Sequence, residues 1–224
     1  MMPDKKTLDI KICGLKTGVA LAAALVGGAS HVGFIFFPKS PRNVAPSEAG
    51  RLRKLASGRA KAVAVTVDAD DAFLDTIVAE MQPDMLQLHG SESPERVSDL
   101  KARHGLPVMK AFPVRETADL AAITPYRGVV DRFLFDAKPP KGSQLPGGNG
   151  VSFDWTILAR LDAGVDYMLS GGLNAANIRE ALQLANPPAI DISSGVESAP
   201  GVKDAALIEQ FFKAVRAARD DRAA

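Results

Sequence analysis

The sequence predicts an α/β protein that folds as a single (β/α)8 TIM barrel. Strand and helix patterns alternate along all 224 residues, which is typical of a parallel sheet covered by helices. Eight strand-like runs can be distinguished, whereas open doubly wound sheets usually have five or six strands. The last two runs both end in turns rich in glycine and serine, as the final strands of phosphate-binding barrels do.

Short runs rich in Val, Ile, Leu and Phe predict the strands. They lie at residues 8–12, 31–37, 61–67, 85–88, 107–112, 132–135, 166–169 and 189–192. An open sheet would require two of these runs to be loops. The first predicted strand is also not followed by the G-x-G-x-x-G motif of dinucleotide-binding folds. Both observations favour the barrel.

Segments with apolar residues at helical spacing separate the predicted strands. The clearest lie at residues 46–55, 72–81, 94–103, 174–184 and 203–216. Pro46 and Pro94 fall at predicted first turns, where the missing N–H of proline costs nothing. The Ala-rich stretch 19–28 is too short to span a bilayer and lacks the arrangement of a signal peptide. We therefore interpret it as a barrel helix.

Composition predicts one domain over residues 1–224, with short polar termini at 1–6 and 219–224. The chain is 46% hydrophobic and 24% charged, as is ordinary for a globular protein. Its formal net charge of +1 argues against a nucleic-acid surface, and no membrane segment is evident. We expect a small-molecule ligand as the partner. The oligomeric state is left open between a monomer and a homodimer.

The cysteine and histidine content bears on compartment and metal binding. One cysteine excludes an internal disulfide framework and suits the reducing cytoplasm. The histidines, His31, His89 and His104, are scattered and show no metal-ligand spacing. We therefore predict a cytoplasmic protein without a metal site.

The two turns that follow the last predicted strands indicate a phosphate site. Glycine lets backbone N–H groups approach an anion closely, because it has no Cβ. The N-terminus of a following helix adds partial positive charge. The residues concerned are Gly171, Gly172, Ser193, Ser194 and Gly195. The pattern predicts a ligand that carries a phosphate.

Residues at the carboxyl ends of barrel strands face the active site, and two of them can exchange protons. Cys13 ends the first predicted strand and Asp136 the sixth, so the two can face each other across the barrel mouth. Cys13 would serve as a general base or nucleophile; the alternative is a small buried apolar residue. Asp136 would serve as a general acid if Phe133, Phe135 and a closing loop shielded it from water; the alternative is a helix cap or salt-bridge partner.

Three further residues are candidates for ligand contact. Arg42 lies in a loop bounded by Pro38 and Pro41, which favours a bidentate contact with a carboxylate over a solvated surface position. His89 ends the fourth predicted strand and is a ligand contact or a capping histidine. Asp191, in the eighth, contacts the ligand or ties down its own loop. The long loop 138–150 follows the sixth strand, on the face where barrel enzymes keep their sites.

The motifs resemble those of the phosphoribosylanthranilate isomerases, the barrel enzymes of tryptophan biosynthesis. They are Lys-Ile-Cys-Gly at 11–14, Ser-Pro-Arg at 40–42, Leu-His-Gly at 88–90, Leu-Phe-Asp at 134–136, Gly-Gly-Asn-Gly at 147–150, Ser-Gly-Gly-Leu at 170–173 and Asp-Ile-Ser-Ser-Gly-Val-Glu at 191–197. They occur in family order over nearly the whole chain. Asn149 replaces a common Thr or Ser, and Asn43 a common aromatic; we expect Asn149 to tolerate a left-handed turn.

The resemblance implies an Amadori rearrangement of N-(5-phosphoribosyl)anthranilate without a cofactor or metal. In this interpretation Asp136 protonates the ribose ring oxygen and Cys13 removes the C2 proton. The glycine and serine turns hold the phosphate, Arg42 holds the anthranilate carboxylate, and loop 138–150 folds over the substrate. Two alternatives are a dual-substrate isomerase that also serves histidine biosynthesis, and a barrel that binds a phosphosugar without catalysis.

Overall fold

Eight parallel strands form a closed barrel in chain order. The computed structural model describes residues 8–143 and 145–221. The strands are β1 (Asp9–Cys13), β2 (His31–Phe36), β3 (Lys61–Thr66), β4 (Met85–Leu88), β5 (Val108–Val114), β6 (Arg132–Ala137), β7 (Tyr167–Leu169) and β8 (Ala189–Ile192). Strand β1 pairs with both β2 and β8, which closes the sheet. The predicted barrel is confirmed, with strand ends shifted by one or two residues.

Alternating side chains of the strands form two layers. One set faces the helices and makes the larger apolar core, for example Ile12, Phe34 and Phe135. The other set faces the barrel axis and includes Val65 and Leu134. Because successive side chains on a strand point to opposite faces, each strand supplies residues to both layers.

Helices cover the outer layer. They are α1 (Gly18–Gly27), α2 (Pro46–Ala56), α3 (Asp71–Met81), α4 (Pro94–His104), α5 (Ile178–Ala185) and α6 (Ala205–Asp220). Pro46 and Pro94 stand in the first turns of α2 and α4, as predicted. Within the described ranges, none of the helices combines the length and the hydrophobicity that crossing a membrane requires.

The connections after β5 and β6 are 3₁₀ segments, Thr117–Tyr126 and Trp155–Arg160, in place of α-helices. The helix predicted at 174–184 begins at Ile178, because the Asn177 side chain accepts a hydrogen bond from the Asn174 N–H and holds a turn there. The helix α6 continues to Asp220 and so includes the first residues of the polar segment 219–224. Residues 1–6 and 222–224 lie outside the described residues.

After β8 the chain forms a short 3₁₀ segment, Ser194–Val196, and then a two-stranded antiparallel hairpin. The hairpin consists of β9 (Glu197–Ala199) and β10 (Val202–Lys203). It places Glu197 and Lys203 beside the mouth of the barrel.

The amino end of the barrel is filled by charged and polar groups. Arg132 binds Asp9 at 2.9 Å and Asp166 at 3.0 Å. Beside them His31 is 3% exposed, and its Nδ1 lies 2.8 Å from the Ser30 hydroxyl. Burial, together with Arg132, Lys11 and Lys61, lowers the pKa of His31 to about 4, although Asp9 works in the opposite direction. The imidazole is therefore neutral at physiological pH.

This buried histidine predicts a loss of stability in acid. The unfolded chain binds a proton at His31 near pH 6.5, whereas the folded chain does so only near pH 4. Stability from this site is thus complete above pH 6.5 and is lost as the pH falls towards 4, by on the order of 2 to 3 kcal/mol. Urea unfolding of the wild type and of His31→Gln at pH 7.0, 5.5 and 4.5 measures it. We expect the variant to lose less stability over this interval, and parallel pH curves would contradict the assignment.

Candidate active site

An open pocket of about 760 Å³ lies at the carboxyl ends of the strands. It collects nearly all of the predicted site residues into one place. Those that line it are Cys13, Arg42, His89, Asp136, Gly171, Gly172, Asp191, Ser193 and Ser194. Gly195 does not line the pocket; it packs behind it, where a Cβ would overlap the carbonyl of Leu173.

The Cys-Gly pair at the end of β1 has a clear local cause. Gly14 has a φ of +81°, and its N–H donates to the carbonyl of Gly33 at 2.9 Å. A Cβ on Gly14 would stand 2.8 Å from Cδ of Arg42. Glycine is therefore required both for the left-handed turn and for the passage of the arginine stem. The turn leaves Cys13 at the pocket floor.

The Cys13 thiol is buried and lies among opposing charges. Burial raises its pKa, and the Asp191 carboxylate adds to that effect, while Lys11 and Lys203 work to lower it. The net result is a pKa above the ordinary thiol value. The balance of charge around Cys13 thus decides how readily it ionises.

Asp136 faces the barrel axis, and the prediction that Phe133 and Phe135 shield this carboxyl was wrong. Phe133 and Phe135 point to the outer layer, where their rings stack with centroids 6.3 Å apart. Asp136 is still buried, at 5% exposure. Residues one position apart on a strand point to opposite faces, so the two phenylalanines cannot enclose the carboxyl between them.

His89 and Gly147 form the actual surroundings of Asp136. His89 Nε2 lies 3.5 Å from Oδ2 of Asp136, and its Nδ1 lies 3.2 Å from Nε2 of Gln87. Gly147, from loop 138–150, packs so closely that a Cβ there would overlap Oδ2 of Asp136 and meet the His89 ring at 2.9 Å. The lack of a side chain at Gly147 lets the loop cover the Asp136 carboxyl.

The turn after β7 places two left-handed glycines against the pocket. Gly171 has a φ of +91° and Gly172 a φ of +66°. The Asn177 side-chain amide donates to the carbonyl of Gly172 at 2.9 Å, and that of Asn174 at 3.3 Å. The two asparagines fix the peptide orientation of the turn, so its amide groups are held ready for an anion.

The turn after β8 lies next to Cys13. The Ser193 hydroxyl donates to the carbonyl of Cys13 at 3.1 Å. Ser194 begins the short 3₁₀ segment at the pocket wall. The helix predicted at 203–216 is present as α6 but begins only at Ala205, after this segment and the hairpin, and the helix after β7 starts only at Ile178. Neither helix therefore begins directly at its turn.

Arg42 is buried and already holds a carboxylate of the protein itself. Its Nε and Nη2 each donate to Glu197 at 2.8 Å, and Nη2 also donates to the Gly148 carbonyl at 3.3 Å. Lys203 also binds Glu197. Burial works to raise the pKa of Glu197, but the two cations outweigh it and hold that pKa below the ordinary value. The Nη1 and Nη2 edge of the guanidinium remains towards the pocket loop.

Asp191, on β8, lies inside the barrel, where its side chain binds Lys11 of the neighbouring strand β1. Its Oδ1 accepts from Nζ of Lys11 at 2.8 Å, and its Oδ2 accepts from the Ser170 hydroxyl at 3.3 Å. Lys11 is fully buried. An ammonium in such a position requires a close anionic partner, because desolvation of an unpaired charge is very costly.

One wall of the pocket is apolar. It is formed by Ile35, Phe37, Val65, Val67 and Leu145. Asn43, where an aromatic residue is common, is not among the residues that line the pocket.

Among the described residues of loop 138–150, those with a left-handed backbone are all glycines: Gly142, Gly148 and Gly150, with φ of +84°, +69° and +71°. Asn149 itself is not among the residues with a positive φ, so the turn does not draw on its tolerance of that conformation. Its side chain instead ties the loop together, donating to the Leu145 carbonyl at 3.2 Å and accepting from the Ser143 hydroxyl at 2.9 Å.

Sequence reasoning missed Lys11, Glu197 and Lys203. Lys11 could have been found, because it stands two residues before Cys13 and must face the same side of the strand. Glu197 was part of a quoted motif but carried no assigned role. Lys203 gives no local signal, since the β9–β10 hairpin alone brings it to Glu197 and Ser193.

Comparison with known proteins adds an independent line of evidence. Residues 10–214 match the family model described as N-(5'phosphoribosyl)anthranilate (PRA) isomerase. The N-(5'-phosphoribosyl)anthranilate isomerase of Mesorhizobium japonicum is 81% identical over 217 residues, which cover 97% of this chain and 99% of that protein. The crystal structure of phosphoribosyl anthranilate isomerase from Thermotoga maritima superposes with a TM-score of 0.84 at 32% identity, covering 94% of this chain and all of that one.

Two further crystal structures match 94% of this chain and the whole of the other chain. One is a phosphoribosyl anthranilate isomerase in complex with reduced 1-(o-carboxyphenylamino)-1-deoxyribulose 5-phosphate, with 30% identity and a TM-score of 0.79. The other shows monomers generated from the dimeric Thermotoga maritima enzyme, with 31% identity and a TM-score of 0.78. From the family match and the high identity over almost the full length, the chain belongs to the N-(5'-phosphoribosyl)anthranilate isomerase family.

Proposed function

We propose that this chain converts N-(5'-phosphoribosyl)anthranilate to 1-(2-carboxyphenylamino)-1-deoxyribulose 5-phosphate by an Amadori rearrangement. The observation that carries the proposal is the meeting of Cys13 and Asp136, from β1 and β6, in one pocket with two glycine and serine turns. A proton acceptor and a proton donor on different strands suit an aldose–ketose isomerisation.

Asp136 acts first, as the general acid. It gives its proton to the ring oxygen of the ribose, the bond between that oxygen and C1 breaks, and a protonated Schiff base forms between C1 and the anthranilate nitrogen. The carboxyl is buried under Gly147 and next to His89. This enclosure keeps water from competing for the proton and from hydrolysing the Schiff base.

Cys13 acts second, as the general base. Its thiolate removes the proton from C2, and the electron pair moves to the Schiff-base nitrogen, giving an enolamine. The enolamine then gains a proton at C1 and loses the O2 hydroxyl proton, which yields the ketone. The Schiff-base nitrogen takes up the electrons, so the residues of the pocket need only move protons.

The remaining contacts divide among the three parts of the substrate. Gly171, Gly172, Ser193 and Ser194 face the phosphate, and the apolar wall around Phe37 accepts the aryl ring. Nη1 of Arg42 meets the anthranilate carboxylate, while Glu197 and the Gly148 carbonyl hold Nε and Nη2. Gly195 supports the phosphate turn from behind.

The two alternatives are separated by simple assays. Loss of substrate fluorescence on addition of the purified protein tests the isomerase directly. Turnover of the aminoimidazole sugar phosphate of histidine biosynthesis would favour the dual-substrate enzyme, although the cysteine at 13 stands where such enzymes generally have an aspartate. Saturable binding without turnover would favour a non-catalytic barrel.

Replacement of the proposed base tests its role. Cys13→Ser keeps the size of the side chain but raises its pKa far above neutrality, so kcat should fall about 10²- to 10⁴-fold with little change in KM. Substrate fluorescence decay measures both constants. Normal turnover in this variant would remove Cys13 from the mechanism.

Replacement of the proposed acid is the second test. Asp136→Asn keeps the shape of the side chain but cannot donate the proton, so we expect a loss of kcat of about 10²-fold or more. Asp162→Asn is the matched control, because that carboxylate is exposed and binds only Arg127 in the described contacts. If Asp136→Asn kept most of its activity, ring opening would have to depend on another acid.

Arg42→Ala tests the carboxylate contact. Loss of a charge-assisted hydrogen bond should raise KM about 10- to 100-fold, with a smaller effect on kcat. Arg51→Ala, at an exposed arginine that pairs with Glu48, is the control. An unchanged KM in the folded Arg42→Ala protein would restrict Arg42 to the structural ion pair with Glu197.

A further inference from the structure

The side chain of Lys11 lies directly beneath the Cys13 thiol inside the barrel. Both residues are on β1 two positions apart, so their side chains point to the same interior. Gly33 of the neighbouring strand β2 contacts both of them. A Cβ on Gly33 would stand 2.9 Å from Cys13 Sγ and 3.1 Å from Lys11 Cε. The missing side chain at Gly33 is what leaves room for the two groups to be neighbours.

The charge on Lys11 is fixed in place. Its Nζ donates to Oδ1 of Asp191 at 2.8 Å, and the ammonium has no solvent exposure. The opposite oxygen of Asp191 is held by the Ser170 hydroxyl at 3.3 Å. Burial works to lower the pKa of Lys11, but Asp191 and Cys13 outweigh it and raise the pKa above its ordinary value. The residue therefore stays charged throughout the functional pH range.

We propose that Lys11 is a positioning residue for the reaction. Its buried ammonium stabilises the negative charge on Cys13 Sγ when the thiol releases its proton, and Asp191 holds the ammonium in place. The proposal rests on the role of Cys13 as the base in the proposed function. A thiol removed from water ionises with difficulty, because no solvent compensates the new charge. A fixed cation at short range supplies that compensation before the substrate binds.

Other charges also face this thiol. Asp191 disfavours its ionisation, and Lys203, on β10, favours it but is largely engaged by Glu197. Arg42, His89 and Asp136 line the same pocket on other strands. Lys11 is the cation that acts most strongly on Cys13, so its removal should have the largest effect of any lysine substitution.

The single cysteine of the chain allows a direct test. Alkylation of a thiol by iodoacetamide can occur only at Cys13, and the pH dependence of the rate at that residue gives the midpoint of thiol ionisation without any substrate. We expect Lys11→Met to move this midpoint up by about 1 pH unit or more, and Asp191→Asn to move it down. Opposite shifts follow from electrostatics alone. A purely structural ion pair predicts that both variants loosen the barrel and change the rate in the same direction.

The double variant protects the test against misfolding of Lys11→Met, which leaves Asp191 unpaired. Lys11→Met/Asp191→Asn has no unpaired charge and should show a higher midpoint than Asp191→Asn alone. Equal midpoints in these two folded proteins, or equal midpoints in Lys11→Met and the wild type, would overturn the proposal. Circular dichroism confirms that each protein is folded.

Steady-state kinetics separate this inference from the proposed function. If the wild type turns over the substrate, the higher midpoint of thiol ionisation in Lys11→Met should lower kcat at pH 7, because less thiolate is present. KM should stay nearly unchanged. A wild type that shows Lys11-dependent alkylation but no turnover would remove the proposed reaction while the charge coupling stands. If the wild type turns over the substrate but Lys11→Met has the same alkylation midpoint as the wild type, only the role of Lys11 is removed.

Discussion

The seam between β1 and β8, where the first and last strands of the barrel meet, is the constraint on which the site depends. Lys11 and Asp191 are register partners across this seam, and their charged ends meet at 2.8 Å although they are 180 residues apart in the chain. A contact of this kind forms only when the barrel closes, because the intervening chain must first be ordered. A slip of one residue would turn Lys11 outwards into the apolar layer under the helices. The buried pair adds little net stability, since desolvation offsets its attraction. It does define one register of β1 against β8, and in that register Cys13 lies next to the turn after β8.

The two-residue period of the strands decides which side chains reach the pocket. Asp136 faces the axis because Leu134 does, and Phe133 and Phe135 must then face the helices. The same rule places Lys11 beneath Cys13. The proposed acid and base therefore stand at the last inward positions of the strands, where the barrel opens. The positions below hold apolar side chains such as Met109 and Leu134, together with the buried ion pair of Lys11. The amino end is closed differently, by the ion pairs of Arg132.

This division also explains what the sequence could predict. Strand and helix periodicity is local, so the barrel, its element order and the strand ends that carry Cys13 and Asp136 were all accessible from the sequence. A closing loop over Asp136 was expected as well, but its contact residue Gly147 was not, because no periodic pattern describes the path of a loop. The partner of Arg42 depends on the hairpin β9–β10, and the late start of α5 depends on side-chain hydrogen bonds at Asn174 and Asn177. These features arise from tertiary contacts, to which residue type and spacing give little access.

The arrangement around Arg42 explains how a pocket proposed to bind anions can contain a buried carboxylate. A free guanidinium on a flexible loop would lose side-chain entropy each time it bound a ligand carboxylate. Glu197 removes that freedom in advance by holding Nε and Nη2, and Gly14 lets the arginine stem lie flat against the end of β1. Lys203 compensates the added negative charge, so the cluster of two cations and one anion keeps a net positive charge towards the pocket. The buried Glu197 thus holds the guanidinium in one orientation before any ligand binds. The hairpin β9–β10, which supplies both Glu197 and Lys203, is therefore part of the barrel mouth.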